Sequence, residues 1–157
     1  MPSSEGIYYT ISRRGLSTTT PLLLIHGAGG MNLSWPPQIR HLADTTVLAL
    51  DLPNHGRSAP RAFDTLEEIA PLLLDWLDRL EIAEIDCCGH SMGSAISLLM
   101  ALQAPHRVRK LILIGSAARL VVNPTLLEFS SNLDTLPQAV ELLIKWSFAP
   151  STPQRIK

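Results

Sequence analysis

The sequence predicts an α/β fold: a three-layer sandwich in which a mostly parallel sheet is covered by helices on both faces. Two observations carry that prediction. Short apolar runs of strand length alternate three times with segments of helical spacing, the signature of βαβ units. The runs are apolar at consecutive positions and not at every second one, as in parallel strands buried on both faces. A third feature agrees with them. His26, Asp51, Gly89 and Gly115 all stand at the C-terminal ends of these runs, where open parallel sheets bind ligands.

The elements follow in order. Ile7–Ser12 is rich in β-branched and aromatic residues between Gly6 and Gly15, and predicts an early strand of a hairpin. Pro21–His26 is the first buried strand, stopped by Gly27-Ala28-Gly29-Gly30. Trp35-Pro36-Pro37 opens a short helix through Leu42. Thr46–Asp51 is the second buried strand, and residues 51–58 form a loop. Thr65 with Glu68 makes a capping box, and the helix that it starts carries Leu66, Ile69, Ala70, Leu73, Leu77 and Leu80 at helical spacing. Pro71 lies inside that helix and is expected to bend it. Ile85–Cys88 is the third strand. Met92–Ala104 is a helix whose early small residues, Gly93, Ser94, Ala95 and Ser97, allow close packing, and Pro105 ends it. Leu111–Ile114 ends the fourth strand before Gly115. After Arg119 the character turns helical: Asn123-Pro124 opens one helix, Thr135 caps another over Gln138–Phe148, and Ser151-Thr152-Pro153 signals a third.

Composition narrows the function. The 157 residues suffice for one domain that buries about two-thirds of the unfolded chain's surface. A net charge of −1 gives no electrostatic case for nucleic acid or an anionic membrane as partner. No apolar run is long enough to span a bilayer, and Met1-Pro2-Ser3-Ser4-Glu5 lacks the layout of a signal peptide. Cys87 and Cys88 are adjacent on a buried strand and read as small core residues of a reducing compartment, so a cytoplasmic location is expected. No His, Cys, Asp and Glu group has metal-ligand spacing, and the glycine loop matches no nucleotide-binding pattern. Neither a cofactor nor a metal is expected.

The chemistry centres on Cys87-Cys88-Gly89-His90-Ser91-Met92-Gly93-Ser94-Ala95. It reads as a strand, a very tight turn carrying Ser91, and a helix that starts at once. Gly89 and Gly93 make the G-x-S-x-G pattern around Ser91. A serine that attacks a carbonyl must stand clear of its neighbours, and glycines at the flanking positions let strand and helix approach closely enough. The helix N-terminus offers free N–H groups where an oxyanion forms. Other candidates read more plainly. His26, Asp51 and His55 read as residues that hold loops in shape, and His90 as a side chain that points away from its neighbour's. His41 and His106 read as surface residues. Trp35, Trp76 and Trp146 read as core or lid-packing residues.

Four stretches together resemble one family. They are Leu24–Gly30, Asp51–Ser58, Gly89–Gly93 and Leu111–Gly115. In this order and spacing they resemble the α/β-hydrolase fold, in its branch of small soluble esterases, lactonases and C–C hydrolases. The resemblance covers residues 7 to 118. It implies Ser91 as catalytic nucleophile and an oxyanion hole made by the backbone N–H groups of Ala28 and Met92. It further implies that residues 1–118 are the N-terminal part of the hydrolase core and that residues 119–157 begin a helical cap. The family's chain order is Ser, then Asp or Glu, then His. No histidine follows His106, and no acid directly follows Gly115. The expectation is therefore an incomplete chain that lacks the triad His and acid and the C-terminal core strands and helix. The fourth strand would then be an apolar edge, open to a missing C-terminal half or to self-association.

The functional reading is a serine-nucleophile hydrolase of a small acyl substrate, a carboxylic ester or similar. Two alternatives stand beside it. The chain is a catalytically inactive truncated or binding-only remnant, or the same fold performs lactonase, C–C hydrolase or lyase chemistry.

Overall fold

The computed structural model describes residues 3–4, 6–12, 19–116 and 121–153. The chain divides into two compact units, Met1–Ala118 and Arg119–Lys157.

The first unit is built on a six-stranded sheet. Its strands are β1 (Ser3–Ser4), β2 (Ile7–Ser12), β3 (Leu22–Ile25), β4 (Val47–Leu50), β5 (Ile85–His90) and β6 (Val108–Ile114), in the spatial order β1-β2-β4-β3-β5-β6. β4, β3, β5 and β6 run parallel. β2 is antiparallel to both β1 and β4, so the expected early hairpin is the β1–β2 pair turning at Gly6. Gly15 lies outside the described residues.

Side chains alternate across β3 and β4. Leu23, Ile25, Leu48 and Leu50 face one cluster, which also holds Ile85, Cys87, Trp76, Leu73 and Ile96. Leu24, Val47, Ala49 and Cys88 face the other, with Trp35. Both faces are thus covered, which is why these strands need apolar residues at every position. Each fully buried Leu or Ile contributes about 1.5–3 kcal/mol relative to an exposed one. α2 (Ile69–Arg79) and α3 (Met92–Gln103) cover the first face, and Ile39 of α1 (Pro37–Arg40) packs on the second. The Tyr9 and Trp76 rings meet edge-to-face at 5.2 Å.

Three local expectations of this first unit need correction. α1 ends at Arg40 and not at Leu42, because His41 leaves helical geometry while its N–H closes the single turn on the Pro37 carbonyl. The Thr65 capping box does not form. The Thr65 hydroxyl donates to the Glu68 carboxylate at 3.2 Å, a 3₁₀ turn fills Leu66–Glu68, and α2 starts only at Ile69. Pro71 is therefore the third residue of α2, where a backbone N–H would have no intrahelical acceptor, so nothing forces a bend.

The second unit contains α4 (Pro124–Ser130) and α5 (Leu136–Ser147). Asn123 caps α4: its Oδ1 accepts from the Thr125 N–H at 2.9 Å, and Pro124 takes the first position. α5 begins two residues before the expected Gln138, with Pro137 in its first turn. Thr135 precedes it but does not cap it with its side chain, because its hydroxyl donates to the Phe129 carbonyl at 2.8 Å. Trp146, expected to pack, is 49% exposed. A helix after Pro153 would lie outside the described residues.

β6 pairs with β5 alone among the described residues, and its Ile112, Leu113 and Ile114 are 49%, 40% and 43% exposed. Among the described residues no helix is long and apolar enough to cross a membrane, and no group of three or more His, Cys, Asp or Glu could hold a metal ion.

Candidate active site

Because β3, β4, β5 and β6 are parallel, their C-terminal ends lie at one end of the sheet, and the residues singled out from the sequence gather there. Ser91 stands between the last residue of β5 and the first of α3, at φ 52° and ψ −118°. An L-residue pays for that conformation in steric strain, so its surroundings must hold it there. They do so through the backbone. The Ser91 N–H donates to the Ile114 carbonyl at 2.8 Å, which extends the β5–β6 ladder one residue past the strand. The Ser91 carbonyl accepts from the Ser94 N–H at 2.9 Å and the Ala95 N–H at 3.3 Å, which opens α3.

The flanking glycines are needed for proximity. A Cβ at Gly89 would land on the Gly93 carbonyl oxygen, and one at Gly93 on the Ile25 carbonyl oxygen. Hydroxyl groups complete the packing. The Ser94 hydroxyl lies 2.7 Å from the Gly89 carbonyl oxygen and 2.9 Å from that of Ile114. The Ser97 hydroxyl donates to the Gly93 carbonyl at 2.7 Å. Ser94, expected only as a small residue for close packing, thus ties the start of α3 to the ends of β5 and β6.

The loop after β3 lies against this turn. A Cβ at Gly27 would sit 3.2 Å from both the Ser91 Cβ and the His90 carbonyl oxygen. Residues 27–30 form a tight turn in which the Gly30 N–H donates to the Gly27 carbonyl at 3.0 Å, with Gly29 at φ 71°. That positive φ at the third residue is the type II geometry, which favours glycine. The backbone N–H groups of Ala28 and Met92 donate to no acceptor among the described residues.

The histidines divide by role. His26 is fully buried. Its Nε2 accepts from the Leu52 N–H at 3.0 Å, so the ring proton is on Nδ1, which donates to the Gly27 carbonyl at 2.7 Å. Both nitrogens are occupied, and burial pushes the imidazole below its ordinary value near 6.5. His55 lies 5.1 Å away, ring centre to ring centre, and is itself held at Nδ1 by the Pro53 carbonyl, 2.8 Å away. The His90 side chain is exposed and stands beside Gly27 and Gly115. His41 and His106 are exposed, as expected for surface residues.

Asp51 is buried and organises its loop. Its Oδ1 accepts from the Asn32 backbone N–H at 2.6 Å and the Asn32 side-chain amide at 2.7 Å, and its Oδ2 accepts from the Arg57 N–H at 2.8 Å. Asn32 escaped the sequence reading because nothing in its neighbourhood marks it as a partner for a residue 19 positions away. Asp51 and His55 act as loop-shaping residues, as the sequence suggested.

A family model described as the alpha/beta hydrolase fold matches residues 20–147. The chain belongs to the α/β-hydrolase fold family. This hydrolase-fold chain is 48% identical over 101 residues to the dihydrolipoyllysine-residue acetyltransferase component of the acetoin cleaving system of Pseudomonas putida, covering 62% of the chain and 27% of that protein. It is 30% identical over 146 residues to a 2-hydroxy-6-oxo-2,4-heptadienoate hydrolase of Pseudomonas putida, covering 87% of the chain and 46% of that protein. It superposes on the structure of a thermophilic esterase with a TM-score of 0.71 at 27% identity, over 92% of the chain and 54% of the esterase. The chain spans about half or less of the length of these proteins. Hydrolases and an esterase are thus among its relatives.

Proposed function

We propose that the protein to which this chain belongs is a serine-nucleophile hydrolase of a small acyl substrate such as a carboxylic ester. The observation that carries the reading is Ser91 held at φ 52° at the start of α3, with the Gly27 turn packed against it. In this reading the Ser91 Oγ attacks the acyl carbon and its proton passes to a base. The carbonyl oxygen becomes an oxyanion that accepts from the N–H groups of Ala28 and Met92. The alcohol leaves with a proton from the base, and water then releases the acid. Loss of one such oxyanion donor costs about 3 kcal/mol of barrier stabilisation.

The base in this reading is a histidine outside the 157 residues, oriented by an acid that is also outside them. His26 has both ring nitrogens engaged, and Asp51 has both oxygens engaged. The Met1–Ala118 unit serves as the N-terminal part of the hydrolase core and the Arg119–Lys157 unit as the beginning of its cap. The free, buried thiols of Cys87 and Cys88 fit a reducing, cytoplasmic setting.

A second reading is favoured by the heptadienoate hydrolase match over 146 residues. That named substrate has ketone and carboxylate groups and no ester, so its hydrolysis must cut a carbon–carbon bond. The same serine and oxyanion donors would serve there.

A fluorophosphonate probe tests the nucleophile in the full-length protein. Label on Ser91, absent from Ser91→Ala, supports it, and equal labelling of both proteins sinks it. Turnover of a p-nitrophenyl ester against a vinylogous diketone then separates the two substrate classes.

A further inference from the structure

Every peptide unit is planar, so the direction of a carbonyl fixes the direction of the N–H that follows it. The unit joining Gly27 to Ala28 is trans, since no peptide bond among the described residues is cis, and its C=O and N–H therefore point opposite ways. Its oxygen is gripped twice: by the Gly30 N–H at 3.0 Å and by the His26 Nδ1–H at 2.7 Å. The His26 ring cannot choose another tautomer. A backbone N–H can only donate, and the Leu52 N–H points at Nε2 from 3.0 Å. Leu52 is itself anchored, with its side chain 1% exposed in the core. A continuous relay thus runs from the core, through Leu52 and His26, to the peptide that carries the Ala28 N–H.

We propose that His26 is a positioning residue that aims the Ala28 N–H at the oxyanion by holding the Gly27 carbonyl on the opposite edge of the same peptide plane. The inference rests on the reading of Ser91 as nucleophile and of Ala28 as oxyanion donor. It differs from a general loop-fixing role in one respect: of the two hydrogen bonds of His26, the one at Nδ1 governs reactivity and the one at Nε2 only selects the tautomer.

That difference can be measured. In His26→Asn the amide nitrogen takes the place of Nδ1 and keeps the donor to Gly27. In His26→Gln the amide reaches the place of Nε2 and keeps an acceptor for Leu52 while losing the grip on Gly27. The rate of Ser91 labelling by a fluorophosphonate is followed in the full-length protein, with thermal midpoints recorded for each variant. His26→Ala and His26→Gln should slow labelling roughly 10²-fold, the scale of a misaimed catalytic group, and His26→Asn should stay within about tenfold of the unsubstituted protein. A rate for His26→Gln equal to or above that of His26→Asn overturns the proposal, as does an unchanged rate for His26→Ala. Should the variants fail to fold, nitrogen-15 NMR of the unsubstituted protein decides: a proton on Nδ1 and none on Nε2 supports the relay, and the opposite tautomer overturns it. Absence of any Ser91 label in the unsubstituted protein overturns both this inference and the nucleophile reading. Labelling that is normal but indifferent to His26 overturns this inference alone.

Discussion

Gly93 lies so close to Ile25 that a single methyl group placed on it would land on the Ile25 carbonyl oxygen. This contact joins α3 to the C-terminal end of β3 without any side chain between them. Gly93→Ala must therefore push a helix off a strand; overpacking costs about 1–3 kcal/mol, and more where, as here, the clash is with backbone that cannot swing away. Gly29→Ala is the matched control: no atom lies within 4 Å of a Cβ there, and only the φ of 71° opposes it, at roughly 1–2 kcal/mol. Urea denaturation of both variants should place Gly93→Ala well below Gly29→Ala. The reverse order would mean that α3 is not seated on β3 as described.

Asp51→Asn probes the other loop. The carboxylate receives three N–H donors, two from Asn32 and one from Arg57. An asparagine has one acceptor oxygen, so its NH₂ group must face at least one of those donors. A buried donor left without a partner costs about 1–3 kcal/mol. The urea midpoint should fall accordingly, and the backbone amides of Asn32 and Arg57 should exchange with solvent faster. Unchanged exchange at both amides would show that Asp51 does not hold the loop.

The parts of this architecture that repeat were the legible ones. β3, β4 and β5 could be read because burial on both faces requires an apolar residue at each position, and Ser91 because a tight strand-to-helix turn needs Gly89 and Gly93 beside it. What escaped reading depends on partners distant in the chain. Nothing near Asn32 announces Asp51, and nothing near Ser94 announces the Ile114 carbonyl 20 positions on. The start of α2 was misplaced for a different reason. Thr65 and Glu68 have the residue types of a capping box, but their side chains bond to each other and leave the backbone N–H groups to a 3₁₀ turn.

The protonation of His26 bears on stability as well as on the peptide that it holds. Burial is the main cause that lowers its pKa, the neighbouring His55 lowers it further, and the Gly27 carbonyl and Asp51 raise it; His90 lies beyond Gly27. The folded value is below the ordinary 6.5. In the interval between the two values the unfolded chain binds a proton that the folded chain refuses. The contribution of the neutral imidazole is thus fully present above pH 6.5 and is lost as the pH falls toward the folded value. His26→Asn removes this titration, so the urea midpoint of the variant should decline less steeply in that interval. Parallel slopes would place the titrating group elsewhere.

Cys87 offers a chemical clock for opening of the core. Burial pushes its thiol up to about 12, and the Sγ donates to the Ser97 hydroxyl at 3.2 Å. Burial raises the Cys88 thiol as well. Only a thiolate reacts with an alkylating reagent. Iodoacetamide at neutral pH should leave both cysteines untouched in the folded protein and modify both in denaturant. The slow rate in native buffer should then follow the stability of each variant above. Prompt modification of Cys87 in the native protein would contradict its burial on β5 beneath Ser97 of α3.

Ser91→Gly separates the two things that this position does. Its φ of 52° and ψ of −118° are costly for a residue with a Cβ and open to glycine. Strain of this kind amounts to about 1–3 kcal/mol. Ser91→Ala removes the hydroxyl and keeps the Cβ, so it should leave the strain in place. Both variants should lose fluorophosphonate labelling, yet only Ser91→Gly should gain stability, by about 1 kcal/mol after glycine's greater unfolded-state entropy is subtracted. A thermal midpoint for Ser91→Gly above those of both the parent and Ser91→Ala would identify the turn as a place where stability is given up to hold a serine at this position. Equal midpoints for the two variants would mean that the backbone there relaxes and that the conformation of Ser91 carries no strain.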